Sequence, residues 1–475
     1  MSIDGKKRGE NLDKLLEPDN VAIFGVSLSE EEKMGNIIYD NLKRSGRSVY
    51  AINPKAEGED DFYPTIHDVP EDIDLAILAI PSKYAVDAVK DCVDFGVGAI
   101  ILVSGGFSET GEEGKKMEEK IKEILKGTDT RLLGPNTMGV LIPPVDLDTF
   151  FLPEDRVERP DEGGIAFISQ SGFMATPFME TLCAHHTGLS GFVGIGNKLD
   201  VDEVELLEYF SQNEETDIIA LYLESISDGR KLYEIAKKTV PEKPVVLLKS
   251  GRSDIGRKAT QSHTGSLAST SNRVVKGMSK QTGIINAYDE RELTDFSEAL
   301  KMNKAIEGEN IAVISSAGGT GVIASDYIED SDNGLDLNMP SFSRSIKERL
   351  DEVILPIASG DNPIDLTANV TDEMVDDVLR ILQDEEKIDA IFMYALFQSP
   401  YVGEGMVEAI SRWYHQGEKP IIVACIGDKT GDKWREKFYE QGVPAYPSTK
   451  RAINCLDVLV YRGRTLSYLG ERTDG

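Results

Sequence analysis

Short apolar runs recur along this chain, alternating with segments of helical length, and in the first series each stops at a glycine, proline, serine or asparagine. Runs without polar alternation suit strands buried on both faces, and strands separated by helices pair in parallel. The first series is Val21–Phe24, Val49–Ile52, Leu75–Ile80, Ala99–Val103 and Arg131–Leu133, ending respectively in G-V-S, N-P-K, Pro81, S-G-G-F-S-E and G-P-N. A second series begins at Gly164–Ser169 and continues through Gly191–Gly194, Ile218–Leu223 and Pro244–Lys249. A third comprises Ile311–Ser315, Ala390–Tyr394 and Pro420–Ala424, before a closing amphipathic helix near 448–462. The pattern predicts an α/β chain of doubly wound parallel sheets whose ligands bind at the carboxyl ends of the strands. Three domains are expected, at 1–142, 160–304 and 305–475, with the proline-rich, acidic stretch 141–162 as a linker.

Glycine-containing loops sit between several strands and the helices that follow. One runs from Gly25 towards a helix expected from about Ile37, but Gly25 and Gly35 do not form a strict G-x-G-x-x-G. The tip of the second strand carries Asn53, Pro54 and Lys55 and no acid to hold a ribose diol, which counts against NAD. S-Q-S-G at 169–172, with a helix from about Phe173, and S-A-G-G-T-G at 316–321, with a helix from about Val322, repeat one design. Each is either a helix cap or a cradle in which backbone N–H groups meet a tetrahedral anion. Two such helix ends, one per domain, are expected to face one phosphoryl group from opposite sides. Asp365 in N-P-I-D-L reads as a helix start, with a functional acid as the alternative.

His263 lies in a stretch of small polar residues, Q-S-H-T-G-S, that follows the strand ending at Lys249. Such a histidine is either a solvated side chain or a carrier of protons or groups, since its ordinary pKa of about 6.5 suits it to both near neutrality. Glu224 ends the preceding strand, so its carboxylate and the imidazole are expected on one rim, where an acid bonded to one ring nitrogen leaves the other as nucleophile.

Composition narrows the partners. Acidic residues number 83 against 51 basic ones, a net charge of −32 spread along the chain. Nucleic acid and anionic membranes are disfavoured, and adaptation to high salt is expected. No run of about eighteen apolar residues occurs and the amino terminus has no signal-like core, so a cytoplasmic location is expected. Cys92, Cys183, Cys425 and Cys455 lack metal-ligand spacing and read as reduced, buried thiols, with no metal site.

The ordered set G-V-S, I-N-P-K, S-G-G-F-S-E-T-G-E-E-G, L-G-P-N, S-Q-S-G, G-N-K-L-D-V-D, L-Y-L-E-S-I-S-D-G-R, K-S-G-R, S-H-T-G-S-L-A, S-A-G-G-T-G and N-P-I-D-L resembles, over nearly the full length, the α subunit of ADP-forming acyl-CoA synthetases, typically acetate–CoA ligase, in the succinyl-CoA synthetase superfamily. The resemblance implies a Rossmann-like CoA-binding domain followed by two flavodoxin-like domains. It implies a relay from acyl-CoA and phosphate through acyl phosphate and phosphohistidine to ADP. His263 falls on the phosphorylated histidine and Glu224 on its supporting glutamate. Ser171, Gly172, Gly318 and Gly319 fall on the phosphate-binding loops, and Gly25, Ser27, Asn53, Lys55, Pro81, Ser104, Phe107 and Asn136 on the CoA rim. Ser269 replaces a glycine usual in the family. Nothing here resembles the family's ATP-grasp part, so an ATP-grasp β subunit is expected to bring Mg-ADP or Mg-ATP, in an α2β2 assembly. A CoA-binding regulatory protein that lost the relay is the alternative, and a nicotinamide-dependent dehydrogenase is disfavoured by the strand tips.

Overall fold

The computed structural model describes residues 12–258, 271–329 and 337–473. His263 and Ser269 lie outside the described residues. Three sheets carry the fold.

The first is wholly parallel, in the order β3-β2-β1-β4-β5-β6, from β1 (Asn20–Phe24), β2 (Ser48–Ile52), β3 (Phe62–Tyr63), β4 (Leu75–Leu78), β5 (Ala99–Leu102) and β6 (Arg131–Leu133). The second runs β13-β12-β11-β9-β10-β7-β8. Its parallel strands are β9 (Glu162–Ser169), β10 (Leu189–Gly194), β11 (Ile218–Leu223), β12 (Val245–Lys249) and β13 (Ile285–Ala287). An antiparallel edge is added by β7 (Val140–Ile142) and β8 (Leu147–Asp148). The third sheet, β15-β14-β16-β17-β18, is parallel and consists of β14 (Ile311–Ser315), β15 (Ile364–Asp365), β16 (Ala390–Tyr394), β17 (Ile421–Ala424) and β18 (Ala445–Tyr446). The α/β class with largely parallel sheets follows the sequence pattern.

Four expectations need correction. The stretch 141–162 is more than a linker. Leu141 and Val140 pair with Phe192 and Val193, and the Thr149 hydroxyl accepts from the Val140 N–H at 2.7 Å, so this segment closes one edge of the second sheet. The helix expected from Val322 begins at Gly318, which puts the glycines of S-A-G-G-T-G in its first turn, where the unpaired N–H groups lie. Asp365 starts no helix: it lies on β15, pairs with Ser315, and its carboxylate accepts from the Thr367 N–H at 2.9 Å. The closing helix extends to Thr449–Thr473.

The chain forms two compact units, one from Met1–Cys183 with Thr187–Glu290, the other from Ala184–His186 with Arg291–Gly475. In the first unit the first two sheets share a core, in which Ile23, Ile77 and Ile101 join Val140, Ile168 and Leu221. The opposite face of the first sheet is covered by Val89, Cys92, Phe107 and Ile121. In the second unit the helix Glu290–Met302 is held by Asp295, whose two carboxylate oxygens each accept from Arg451 at 2.7 Å. His185 stacks on Tyr439 at 3.8 Å and meets Glu298 at 2.8 Å.

Arg131, at 1 % exposure, joins the first two sheets: its guanidinium donates to Asp200 at 2.8 Å and Glu205 at 2.6 Å. Removing the cation leaves two carboxylates facing each other in a partly buried site. Arg131→Met is therefore expected to lower the unfolding free energy by about 3 kcal/mol in urea denaturation. A loss within about 0.5 kcal/mol would show the pair to be neutral against an apolar replacement.

Candidate functional site

The carboxyl rim of the first sheet is a set of loops stitched by side chain to backbone bonds. Gly25 follows β1 with φ +98°, and a Cβ there would lie 2.2 Å from the Ala79 carbonyl, so only glycine lets the first loop lie against the β4 tip. Ser27 and Asn36 bond reciprocally, the serine N–H donating to Asn36 Oδ1 at 2.8 Å and the asparagine amide to the Ser27 carbonyl at 2.9 Å. Asn53 donates to the Val26 carbonyl at 2.8 Å and accepts from the Lys55 N–H at 2.9 Å. Ser104 donates to the Ile80 carbonyl and accepts at its own carbonyl from the Asn136 N–H at 3.0 Å. Lys55, Pro81 and Asn136 are exposed. The structure thus brings Gly25, Ser27, Asn53, Ser104 and Asn136 to one rim. Phe107 differs, since its ring is fully buried and only its backbone faces the loop.

Two residues of this rim escaped sequence reasoning although both stand in quoted motifs. Glu109 accepts from the N–H groups of Gly106 at 2.6 Å and Phe107 at 3.0 Å, and from the Asn197 amide at 2.8 Å. Burial works to raise its pKa, but the bonds from Asn197, Phe107 and Gly106 outweigh it and hold the carboxyl below its usual range. Asn197 lies in the turn that follows β10 of the second sheet, so G-N-K-L-D and S-G-G-F-S-E meet. Glycine closes this loop from beneath: a Cβ on Gly114, in the first turn of the helix Glu112–Leu125, would lie 1.8 Å from the Phe107 carbonyl.

The carboxyl rim of the second sheet carries the other motifs. Ser171 precedes a short 3-10 turn, Gly172–Met174, and makes no capping bond with its side chain. The cap reading of S-Q-S-G therefore does not hold for Ser171. Gln170 turns inward. Its Oε1 accepts from the N–H groups of Glu224 at 2.9 Å and Ser225 at 3.0 Å, tying the β9 loop to the β11 loop. Glu224 is 8 % exposed. Lys249, ending β12 at 5 % exposure, donates to the carbonyls of Glu224 at 2.8 Å and Ser250 at 2.6 Å. Lys198, beside Asn197, donates to Glu203 at 3.0 Å and to the Ser225 carbonyl at 2.9 Å. Gln170, Lys198 and Lys249 are members of S-Q-S-G, G-N-K and K-S-G-R that carried no individual role in the sequence reading.

In the second unit Gly318 and Gly319 open the helix Gly318–Glu329 and are exposed. A Cβ on Gly318 would lie 2.6 Å from Asp365 Oδ2, which places a carboxylate beside that helix end. All four cysteines are free, three of them buried, and burial pushes the Cys425 thiol up to about 12. Among the described residues no group of three His, Cys, Asp or Glu side chains is placed to hold a metal ion, and no helix is long and apolar enough to cross a membrane.

Comparison with known proteins places the chain in a family. A CoA binding domain profile matches residues 19–143, a succinyl-CoA ligase like flavodoxin domain 162–300, and a Ligase-CoA domain 311–468. The α subunit of ADP-forming acetate–CoA ligase I of Pyrococcus furiosus is 33% identical over 466 residues, covering 94% of this chain and 97% of that subunit. The chain belongs to this α-subunit family of ADP-forming acetate–CoA ligases. ADP-forming acetate–CoA ligase I of Archaeoglobus fulgidus is 32% identical over 94% of this chain, which spans only 63% of that relative's length. The solved structure of the dinucleotide forming acetyl-coenzyme A synthetase 1 of Ca. Korarchaeum cryptofilum, in complex with phosphate and ADP, superposes with a TM-score of 0.87 at 30% identity, covering 97% of this chain and 98% of that one.

The buried rim of the second sheet has a pH signature. Burial pushes the Lys249 amine down to about 8 from the ordinary 10.5, Glu224 opposing the shift and Lys198 adding to it. Below pH 8 the amine is charged both folded and unfolded, and the fold bears the full cost of the buried charge. Between about 8 and 10 only the unfolded chain holds the proton, so stability rises with pH. The unfolding free energy of the native chain relative to Lys249→Met is expected to increase by roughly 2 kcal/mol from pH 7.5 to pH 10. A difference independent of pH over that range would contradict this.

Proposed function

We propose that this chain is the α subunit of an ADP-forming acyl-CoA synthetase, with acetyl-CoA the expected thioester, converting acyl-CoA, phosphate and ADP into carboxylate, CoA and ATP. The reading is carried by the match along 97% of a chain that is itself an α subunit. Two built rims support it, one of stitched loops on the first sheet and one of buried polar side chains on the second.

A phosphate oxygen attacks the thioester carbonyl, the C–S bond breaks, and CoA leaves as a thiol with a proton from phosphate. Ser171, Gly172, Gly318 and Gly319 are the groups assigned to the anion, through N–H donors at helix starts. A nitrogen of His263 then takes the phosphorus as the P–O bond to the acyl group breaks, releasing carboxylate, with Glu224 holding the ring. Finally a β-phosphate oxygen of ADP takes the phosphoryl group as the P–N bond breaks. Covalent transfer splits one hard exchange into easier ones. Gly25, Ser27, Asn53, Lys55, Pro81, Ser104, Asn136 and the Phe107 backbone are assigned to CoA. An ATP-grasp β subunit supplies Mg-bound nucleotide, in an α2β2 assembly, and the acidic surface fits a cytoplasm of high salt.

The test is phosphoenzyme formation from acetyl-CoA and labelled phosphate in high salt, with and without an ATP-grasp partner. An acid-labile label on the native chain, absent from His263→Ala, is expected, and ATP only when the partner and ADP are present. CoA binding without any label, partner present, would favour a binding protein that lost the relay.

Because Gly114 packs directly on the Phe107 carbonyl, Gly114→Ala displaces the loop from Ser104 to Glu109. CoA affinity measured by calorimetry is expected to fall about tenfold or more. An unchanged affinity would remove this loop from the CoA site.

A further inference from the structure

Residues 224 and 225 leave the β11 ladder, yet all four of their backbone polar groups are bonded to side chains. Gln170 Oε1 takes both N–H groups, and its amide also donates to the Ser225 hydroxyl at 3.1 Å. Lys249 holds the Glu224 carbonyl at 2.8 Å and Lys198 the Ser225 carbonyl at 2.9 Å. The three side chains come from the ends of β9 and β12 and from the turn after β10. This arrangement is costly. Lys198 is compensated by Glu203, fully buried and fixed by the Ser227 N–H at 2.6 Å. Lys249 is bonded to carbonyls, in a setting where an apolar side chain would pack more cheaply than an ammonium. Fixing both peptide planes beside Glu224 fixes its Cα and the direction of its Cα–Cβ bond, the base from which the side chain reaches towards its partner.

We propose that Gln170, Lys198 and Lys249 are positioning residues for phosphoryl transfer, clamping the Glu224–Ser225 backbone so that the Glu224 carboxylate is held ready for its histidine. This rests on the role given to Glu224 above. The clamp acts on the second step of the relay and leaves thioester cleavage alone.

The test uses Lys249→Met and Gln170→Met, which remove the bonds at similar volume, each with the ATP-grasp partner, acetyl-CoA and labelled phosphate. Phosphohistidine is expected to form about 10- to 100-fold more slowly. CoA thiol release in the first turnover is expected to stay within about twofold of native, and adding either change to Glu224→Gln to cost less than about a further twofold. Equal slowing of thiol release and labelling, or native labelling by folded variants, would overturn the clamp. Should Lys249→Met fail to fold, Gln170→Met reads the same coupling. Failure of the native chain to label at all strikes instead at the proposed relay, so the two failures are distinguishable.

Discussion

The arrangement of the first unit depends on one turn, Gly196-Asn197-Lys198, between β10 and the helix Glu203–Gln212. Lys198 holds a left-handed backbone, φ +57°, which sends two neighbouring side chains to opposite sides. Asn197 reaches the first sheet, donating to Glu109 at 2.8 Å and Glu118 at 2.9 Å. Lys198 reaches the second, at Glu203 and the Ser225 carbonyl. The backbone joins in, because the Asn197 and Leu199 N–H groups bond the Pro135 and Gly134 carbonyls at 2.9 and 3.0 Å. One turn therefore sets both the S-G-G-F-S-E loop and the Glu224 loop, and the rims are built as a single polar structure.

These bonds answer a physical requirement. Loops at strand ends lose the ladder bonds that hold the strands, and their backbone groups must find other partners or face water. Here the partners are side chains buried beneath the rim, so holding a loop still and satisfying its backbone are one act. A relay that passes a phosphoryl group between sites needs fixed receivers, because misplacement by an ångström costs heavily in rate. Fixed loops with long-range side-chain partners supply that without lengthening the sheet.

Much of this was legible in the chain itself. Ile218–Leu223, Ile311–Ser315 and Ala390–Tyr394 appear as strands with the bounds their apolar runs give, because central parallel strands are buried on both faces and carry no polar alternation. The β7–β8 edge was hidden because Pro143, Pro144 and the acids around them read as linker, while two-residue pairing leaves no periodic signal. The start at Gly318 was hidden because glycine disfavours helix interiors, a cost that matters less in a first turn. Gln170, Lys198 and Lys249 stood in recognisable motifs, but their bonds to residues 25 to 55 positions away follow only from the order of strands in the sheet.

Charge explains why the cations lie where they do. With a net charge of −32 the surface repels anions such as phosphate, ADP and CoA. Salt screens that repulsion beyond about 10 Å at 0.1 M and over shorter distances in stronger salt, so approach is governed by groups within a few ångströms. Buried groups are screened least. At the Glu224 loop the cations lie inside: Lys249, 5 % exposed, bonds the Glu224 carbonyl, and Lys198 bonds the Ser225 carbonyl while paired with the buried Glu203 carboxylate, so both are shielded from the salt that screens surface charge.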